Sequence, residues 1–539
     1  MPDRAVAIAA AGLAVAGLWM FRAAAEPPRY DGPNRQKTID PLPPEPPAPP
    51  RVAGQANNPI DQFIADKWRR FAVRPAKLAT DLDLVRRIFL DIAGVVPTVE
   101  EVDAFLHADR GARVGKLVDR LLASPQYAEH WTVFWGDLLR EQSQTRGAEP
   151  FALRDYLRDV LADGVPYDRW VRSLITAEGT TEDDPAAAFV LGHRSDPDEL
   201  TITVAQAFMG TQLACAQCHD HPFEPWLQSD FLGMRDFWRG TRVRNAEART
   251  VLVRGRPVQL QLETVMSGTG AGSFVTGAES ASGAGRAALA ELLTAADNPY
   301  FARVAVNRVW AKLMGRGLVE PVDEFRADNP PSHPELLDWL AREFIDNGYD
   351  LRHVIRLICT SRTYQLDTTR GVVPRNVYTE AFFERMPLRR LTAEQLHDSI
   401  LVSCGLFGSD RPMYQRAFDQ SYPRPASSFI GTFHGHDRQT LHQRDTEVTI
   451  QQALELLNGP FLNNAVRLHD AHPVRRWLAA GDSASLAVRK LFVSTLGREP
   501  TRPELDAATS YVSGPGSDPA RWADVHWALI NTREFMFIR

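Results

Sequence analysis

Signals that begin an α-helix recur along the chain from residue 58 onward, and they constrain the fold more than any other feature. A capping box pairs Ser or Thr with Glu or Gln three residues later, so that each side chain bonds a backbone N–H at the helix start. Such boxes begin at Thr98, Ser332, Thr392 and Thr501. Strand-like alternation is rare, and its best example predicts a small β-hairpin near residues 250–262. The sequence therefore predicts a mainly α protein.

Two helical modules are predicted, with a linker between them. Residues 266–289 are rich in Gly, Ser, Ala and Thr, a composition typical of flexible connections. We expect one module over residues 58–265 and a second over residues 290–539. With 539 residues and a hydrophobic share of 44 %, the chain is long enough to bury a core in each module.

The N-terminal region differs from both modules in composition. An apolar run, Ala5–Phe21, follows Arg4 and precedes Ala23-Ala24-Ala25, which is the pattern of a signal peptide and its cleavage site. An uncleaved membrane anchor is the alternative. Residues 1–25 are therefore predicted to be a signal peptide or anchor, and residues 26–57 a proline-rich linker. Both alternatives predict an extracytoplasmic protein that is periplasmic, secreted or anchored in the inner membrane.

Charge and cysteine content exclude two broad classes of protein. Lys and Arg number 61 against 67 Asp and Glu, a formal net charge of −6, so there is no basic excess to predict a nucleic-acid partner. Four cysteines are too few to build a disulfide scaffold of this length. Two of the four lie together in the segment Cys215–His219.

The segment Cys215-Ala216-Gln217-Cys218-His219 carries the most specific chemical signal in the chain. Cys-x-x-Cys-His is the attachment pattern of c-type haem. Two thiols on one turn reach the two vinyl groups of the haem, and the adjacent histidine supplies an axial imidazole to the iron. We therefore expect Cys215 and Cys218 to bind haem c covalently and His219 to ligate its iron.

The same residues are compatible with other sites. His219 and His221, together with the two cysteines, could hold a non-haem metal such as zinc. The cysteine pair could instead form a disulfide, with no cofactor bound. The remaining cysteines, Cys359 and Cys404, lie on separate predicted helices, and we interpret them as core residues.

A second histidine-rich stretch, His434–His442, leaves open whether the chain is an enzyme. It could bind a metal for hydrolysis, although solvated histidines in a loop are the more common interpretation. The sequence contains no Gly-x-Ser-x-Gly elbow, no His-Glu-x-x-His pair and no Gly-rich phosphate loop. No particular reaction is therefore predicted.

Longer runs of sequence resemble a known family. Cys215–Trp226 is similar to the signature of the planctomycete-type cytochrome c-like proteins, which join two domains of otherwise unknown function. The other similar runs are Arg87–Thr98, Leu121–Trp131, Asn298–Trp310, Gly315–Phe325, Asn329–Leu337, Ala453–Pro460 and Ala528–Phe535. The resemblance implies an exported protein without a settled activity. It also implies that Cys215 and Cys218 are thioether sites and that His219 is the axial ligand.

Two functions from different classes follow from these observations. The first is an exported c-type cytochrome-like protein that carries electrons at a membrane surface and meets a redox partner protein. The alternative is a structural or assembly subunit of an extracytoplasmic membrane complex, whose Cys-x-x-Cys-His motif holds a disulfide or a non-haem metal. In both cases residues 1–25 would contact the membrane if they are not cleaved.

Overall fold

A computed structural model describes most of the chain. The described residues are 39–50, 58–145, 148–246, 252–253, 256–257, 259–264, 272–278, 280, 285–368, 381–433, 448–514 and 518–539. The predicted signal peptide or anchor and the histidines of the stretch 434–442 lie outside these ranges. Among the helices that the structure describes, none combines the length and the apolar character needed to span a membrane.

Helices dominate the described residues, which confirms the predicted mainly α fold. The α-helices are α1 (Pro59–Arg70), α2 (Asp81–Ile92), α3 (Val99–His107), α4 (Arg113–Leu122), α5 (Pro125–Leu138), α6 (Ala152–Ala162), α7 (Tyr167–Thr176), α8 (Ala187–Gly192), α9 (Pro197–Met209), α10 (Gln228–Asp236), α11 (Gly285–Leu293), α12 (Phe301–Met314), α13 (Pro334–Asp346), α14 (Leu351–Thr360), α15 (Ala393–Cys404), α16 (Phe429–Thr432), α17 (Ile450–Asn458), α18 (Pro460–Ala465), α19 (Pro473–Ala479), α20 (Ala484–Leu496), α21 (Arg502–Ser513) and α22 (Pro519–Ile530).

Three of the four predicted capping boxes begin helices. Thr98, Thr392 and Thr501 each accept a backbone N–H and are bonded in return by the side chain three residues on. The box predicted at Ser332 is wrong, because α13 begins at Pro334 with His333 at the N-cap position. Proline is favoured at the first helical position, where no intrahelical N–H is needed, so the start moves one residue along. The backbone N–H of Ser332 instead donates to the Leu318 carbonyl, 2.7 Å away.

The predicted hairpin is present but is larger than its sequence pattern indicated. Strand β1 (Thr241–Ala246) pairs antiparallel with β4 (Gln259–Thr264), and the two-residue strands β2 (Leu252–Val253) and β3 (Arg256–Pro257) pair between them. The prediction missed β1 because its Thr-Arg-Val-Arg-Asn-Ala sequence offers one large apolar side chain and little alternation. A further short pair, β5 (Arg389–Arg390) with β6 (Phe537–Ile538), lies far from the hairpin in sequence.

The buried apolar side chains form two clusters. The larger runs from Leu42 to Met386, with Val493 added, and contains residues from both sides of the predicted 266–289 linker. The smaller is built from residues 391–538, together with Leu90, Val96 and Val99. The predicted module boundaries stay a prediction, although the packing joins the two sides of that linker. Part of the predicted proline-rich linker also packs against the chain, since Leu42 is buried.

Helix α2 lies between the two clusters and is buried on every side from Leu84 to Ile92. Its charged side chains find partners across the chain. Arg86 donates to the carbonyls of Thr495 and Phe535, both at 2.8 Å. Asp91 accepts both terminal nitrogens of Arg389, at 2.8 and 2.7 Å. A helix buried all round needs its charges paired, so α2 binds the N-terminal and C-terminal parts of the chain together.

Candidate functional site

The Cys-x-x-Cys-His segment follows the end of α9, where Gly210 adopts a left-handed conformation with φ 60°. A Cβ at this position would lie 2.7 Å from the ring of Phe325, so glycine is required for the close approach. The chain then forms a 3₁₀ turn over Ala214–Gln217. Ala216 is fully buried and holds the turn against the larger core.

Cys215, Cys218 and His219 are all exposed, and both cysteines are free thiols. The predicted trio therefore lies on the surface of one turn. Nδ1 of His219 lies 2.7 Å from the Asp220 carbonyl. Because a carbonyl can only accept, Nδ1 carries the proton, and Nε2 is the ring nitrogen left for a metal. This is the tautomer in which a histidine supplies an axial or metal ligand.

The segment that follows turns inward. His221 is buried, and its Nδ1 accepts the backbone N–H groups of Phe223 and Glu224 at 3.2 and 2.9 Å. With Nδ1 accepting, the proton of the neutral ring is on Nε2. Coordination by His221 would therefore require the ring to lose that proton or to release the turn. The metal role of His221 stays a prediction, while the two backbone bonds give it a structural role.

The buried carboxylate of Glu224 forms a hydrogen bond within the same turn. Glu224 accepts the indole N–H of Trp226 at 2.9 Å, and the Trp226 carbonyl accepts the N–H of His221 at 2.8 Å. Burial raises the pKa of Glu224, an effect that the Trp226 hydrogen bond and the nearby charge of Arg326 oppose. Arg326 lies 3.8 Å from Glu224, so the turn meets a segment more than a hundred residues further along the chain.

The segment around Arg326 also forms hydrogen bonds with the end of α9. The Phe325 N–H donates to the Gly210 carbonyl at 2.9 Å, and the amide of Gln206 donates to Asp323, also at 2.9 Å. Asp323 forms an ion pair with Arg308 at 2.5 Å, and Arg308 donates in turn to the Gln206 carbonyl at 2.6 Å. The Cys-x-x-Cys-His turn is therefore positioned by both halves of the chain.

The turn offers a haem two attachment points and one axial ligand. Methionine and histidine are residue types that ligate haem iron. Met209 and Met234 lie in the larger core, His193 is buried, and the ring of His130 packs against Trp131. A cavity of about 240 Å³ is lined in part by Phe325 and Arg326, which contact Gly210 and Glu224, and a second of about 360 Å³ lies further away; neither is lined by Cys215, Cys218 or His219. The exposed thiols of Cys215 and Cys218 and the Nε2 of His219 would suit covalent attachment of a haem, which stays a prediction.

The two histidines of the motif are expected to differ sharply in their contribution to stability. Replacing His221 by alanine removes the acceptor of two N–H groups, one of them buried, and should cost about 1–3 kcal/mol. Replacing the exposed His219 by alanine should change stability by no more than about 0.5 kcal/mol. Urea denaturation of haem-free protein measures both, and an equal or larger cost for His219→Ala would contradict the assignment.

A second group of ligand-type side chains, which no sequence pattern indicates, is buried in the smaller core: Cys404, His472 and His526. Cys404 is buried, as predicted for a core residue. His472 and His526 were not singled out, because no local spacing connects positions 54 residues apart. Only the packing of three helical segments brings the group together.

Two protein-family models match separate parts of the chain. A model described as PSCyt2, protein of unknown function (DUF1549), matches residues 59–243 and contains the Cys-x-x-Cys-His turn. A model described as PSD1, protein of unknown function (DUF1553), matches residues 285–512. No curated protein and no solved structure matches the chain. The predicted pairing of two domains of unknown function is confirmed, while haem attachment stays a prediction.

Proposed function

Because the chain carries a PSCyt2 domain followed by a PSD1 domain, we propose that it is an exported c-type cytochrome-like protein. In this proposal Cys215 and Cys218 hold a haem c through thioether bonds, and His219 is an axial ligand. Once attached, the haem supplies reversible one-electron transfer. The partner is an extracytoplasmic redox protein, and residues 1–25 direct export or anchor the chain.

One observation carries the proposal: both thiols and the adjacent imidazole are exposed on a single turn. Covalent attachment needs thiols that a haem can approach, and a structural cysteine pair would more often be buried. The hydrogen bond from Nδ1 of His219 to the Asp220 carbonyl leaves Nε2 to face a metal.

The rest of the turn orders these three side chains. The Gln228 amide donates to the Cys218 carbonyl at 3.0 Å, and the Gln228 backbone N–H donates to Asp220 at 2.9 Å. The Gln217 amide donates to Asp198 at 3.0 Å. These hydrogen bonds fix the backbone of the turn and do not involve the sulfur atoms of Cys215 and Cys218. Phe223, exposed over half of its surface, adds an apolar ring to the same turn, where a haem edge or a partner protein could pack.

A haem stain on a denaturing gel tests the proposal. Full-length protein from its native host is expected to give a peroxidase-active band, and the peptide bearing Cys215 should gain the mass of a haem. The Cys215→Ala/Cys218→Ala double variant should lose both signals. The Cys359→Ala variant should keep them, because Cys359 is a buried free thiol in the other domain. Wild-type protein without a stained band would overturn the proposal.

The alternative is a structural or assembly subunit in which the same turn holds a non-haem metal. The exposed Cys-x-x-Cys pair and the Nε2 of His219 favour it, since thiolates and a neutral imidazole are also zinc ligands. Zinc bound without iron, and lost from the Cys215→Ala/Cys218→Ala variant, would support this alternative. A disulfide between Cys215 and Cys218 in the isolated protein would point to a purely structural motif.

A further inference from the structure

Three ligand-type side chains converge in the smaller hydrophobic cluster. Nε2 of His472 lies 3.2 Å from Nδ1 of His526, and Sγ of Cys404 lies 4.0 Å from the same Nδ1. One ligand atom from each residue falls within 4.8 Å of the others. All three side chains are fully buried. We propose that Cys404, His472 and His526 bind a zinc ion.

The distances match the ligand spacing of a tetrahedral zinc site. With Zn–N near 2.05 Å and Zn–S near 2.3 Å, tetrahedral angles place two nitrogens about 3.3 Å apart and a nitrogen and a sulfur about 3.6 Å apart. The observed 3.2 and 4.0 Å differ from these values by a few tenths of an ångström. Side-chain rotation alone can close such a difference.

The backbone is built to bring these residues together. Cys404 is the last residue of α15, and Gly405 follows in a left-handed conformation with φ 72°. A Cβ at Gly405 would lie 2.3 Å from the Ala471 carbonyl oxygen, so the end of α15 approaches the 471–472 backbone as only glycine permits. His472 occupies the N-cap position of α19 without a side-chain capping bond, and His526 lies on α22.

Contacts within the described part of the chain leave two ring nitrogens of this group without a hydrogen-bond partner. The contact between the two rings uses one nitrogen of each, while Nδ1 of His472 and Nε2 of His526 have no hydrogen-bond partner among the described residues. A metal bound by Nε2 of His472, Nδ1 of His526 and Sγ of Cys404 would replace the contact between the two rings, and the other nitrogen of each ring would carry the proton.

The ligand set indicates which metal would bind. Thiolate and imidazole are both zinc ligands, and a thiolate with two imidazoles also binds copper, whereas calcium and magnesium need oxygen ligands. Three protein ligands leave a fourth position for a water. The half-buried His469 also lies close by, with its ring centroid 5.6 Å from that of His472. The site is separate from the Cys-x-x-Cys-His turn, so the fate of the haem proposal does not decide it.

Zinc content per chain tests the proposal. The background is full-length Cys215→Ala/Cys218→Ala protein, in which the first motif cannot hold zinc. This background should retain about one zinc ion per chain after dialysis, as a site with three buried ligands predicts. Cys404→Ser and His526→Ala should each abolish the bound zinc. Cys359→Ser, the matched change at the other buried cysteine, should keep it. A background protein without zinc, or zinc retained in both Cys404→Ser and His526→Ala, would overturn the proposal.

Cobalt substitution provides a readout that does not depend on how the variants fold. Cobalt-loaded background protein should show a thiolate-to-cobalt charge-transfer band, because Cys404 would be the only thiolate ligand of the site. Cys359→Ser should show the same band. Cobalt bound without that band would contradict the ligand set even if every ligand variant proved unstable.

Discussion

Replacing Asp91 with alanine is expected to destabilise the protein by about 3–5 kcal/mol, because it leaves the guanidinium of Arg389 without its charge partner in the interior. Asp91 is almost fully buried and accepts two parallel bonds from Arg389 at 2.8 and 2.7 Å. It also accepts the hydroxyl of Tyr364 at 2.6 Å. Burial raises the pKa of Tyr364, so this hydroxyl stays protonated and donates. Urea denaturation followed by circular dichroism measures the loss.

The chain contains a matched control for this experiment. Asp119 also accepts a guanidinium, that of Arg356 at 2.6 Å, and this pair too connects the PSCyt2 and PSD1 domains. Both side chains are about half exposed, at 47 % for Arg356 and 52 % for Asp119. Asp119→Ala should therefore cost no more than about 1 kcal/mol. Equal losses at the two positions would contradict the view that burial makes the Asp91 pair critical.

A double-mutant cycle separates the interaction free energy of Asp91 with Arg389 from the cost of leaving one of the two charges without its partner. Asp91→Ala/Arg389→Ala should be less destabilised than the sum of the two single changes, because neither charge is then left alone. Strict additivity would mean that the two residues act independently. This coupling connects α2 of the first domain to strand β5 of the second, so it also measures how strongly the domains depend on each other.

The features of the fold that follow from local chemistry were predictable from the sequence. Thr98, Thr392 and Thr501 satisfy backbone groups within their own first turn, so their signal needs no tertiary information. The capping box predicted at Ser332 is wrong because Pro334, which is also a local signal, sets the start of the helix instead. The complete burial of α2 was not predictable, since the partners of Arg86 and Asp91 lie several hundred residues away.

The residues of the candidate sites likewise fall into those that the sequence predicts and those that only tertiary packing brings together. Cys215, Cys218 and His219 are close in sequence, so one turn necessarily brings them together, and the structure adds their exposure. The structural bonds of His221 to Phe223 and Glu224 are also local, but nothing in the sequence distinguishes a histidine that caps a turn from one that binds a metal. Cys404 and His526 are 122 residues apart, and only tertiary packing makes them neighbours.

Zinc bound in the smaller core should make the stability of that core depend on the metal. A ligand that binds only the folded state stabilises it by RT ln(1 + [L]/Kd), about 4 kcal/mol when free zinc is a thousand times Kd. In the Cys215→Ala/Cys218→Ala background, chelation should therefore lower the melting temperature. It should also speed amide hydrogen exchange in α15, α19 and α22, the three segments that supply the ligands.

The cysteine variants decide whether this dependence comes from the proposed ligands. Cys404→Ser removes the thiolate, so chelation should then change neither the melting temperature nor the exchange of the three segments. Cys359→Ser leaves the group intact and should keep the full response, because Cys359 lies in the larger core on α14. Unfolded chains also bind zinc weakly through their Cys and His residues, which reduces the shift without abolishing it. A chelation response of the same size in Cys404→Ser and Cys359→Ser would place the metal elsewhere in the chain.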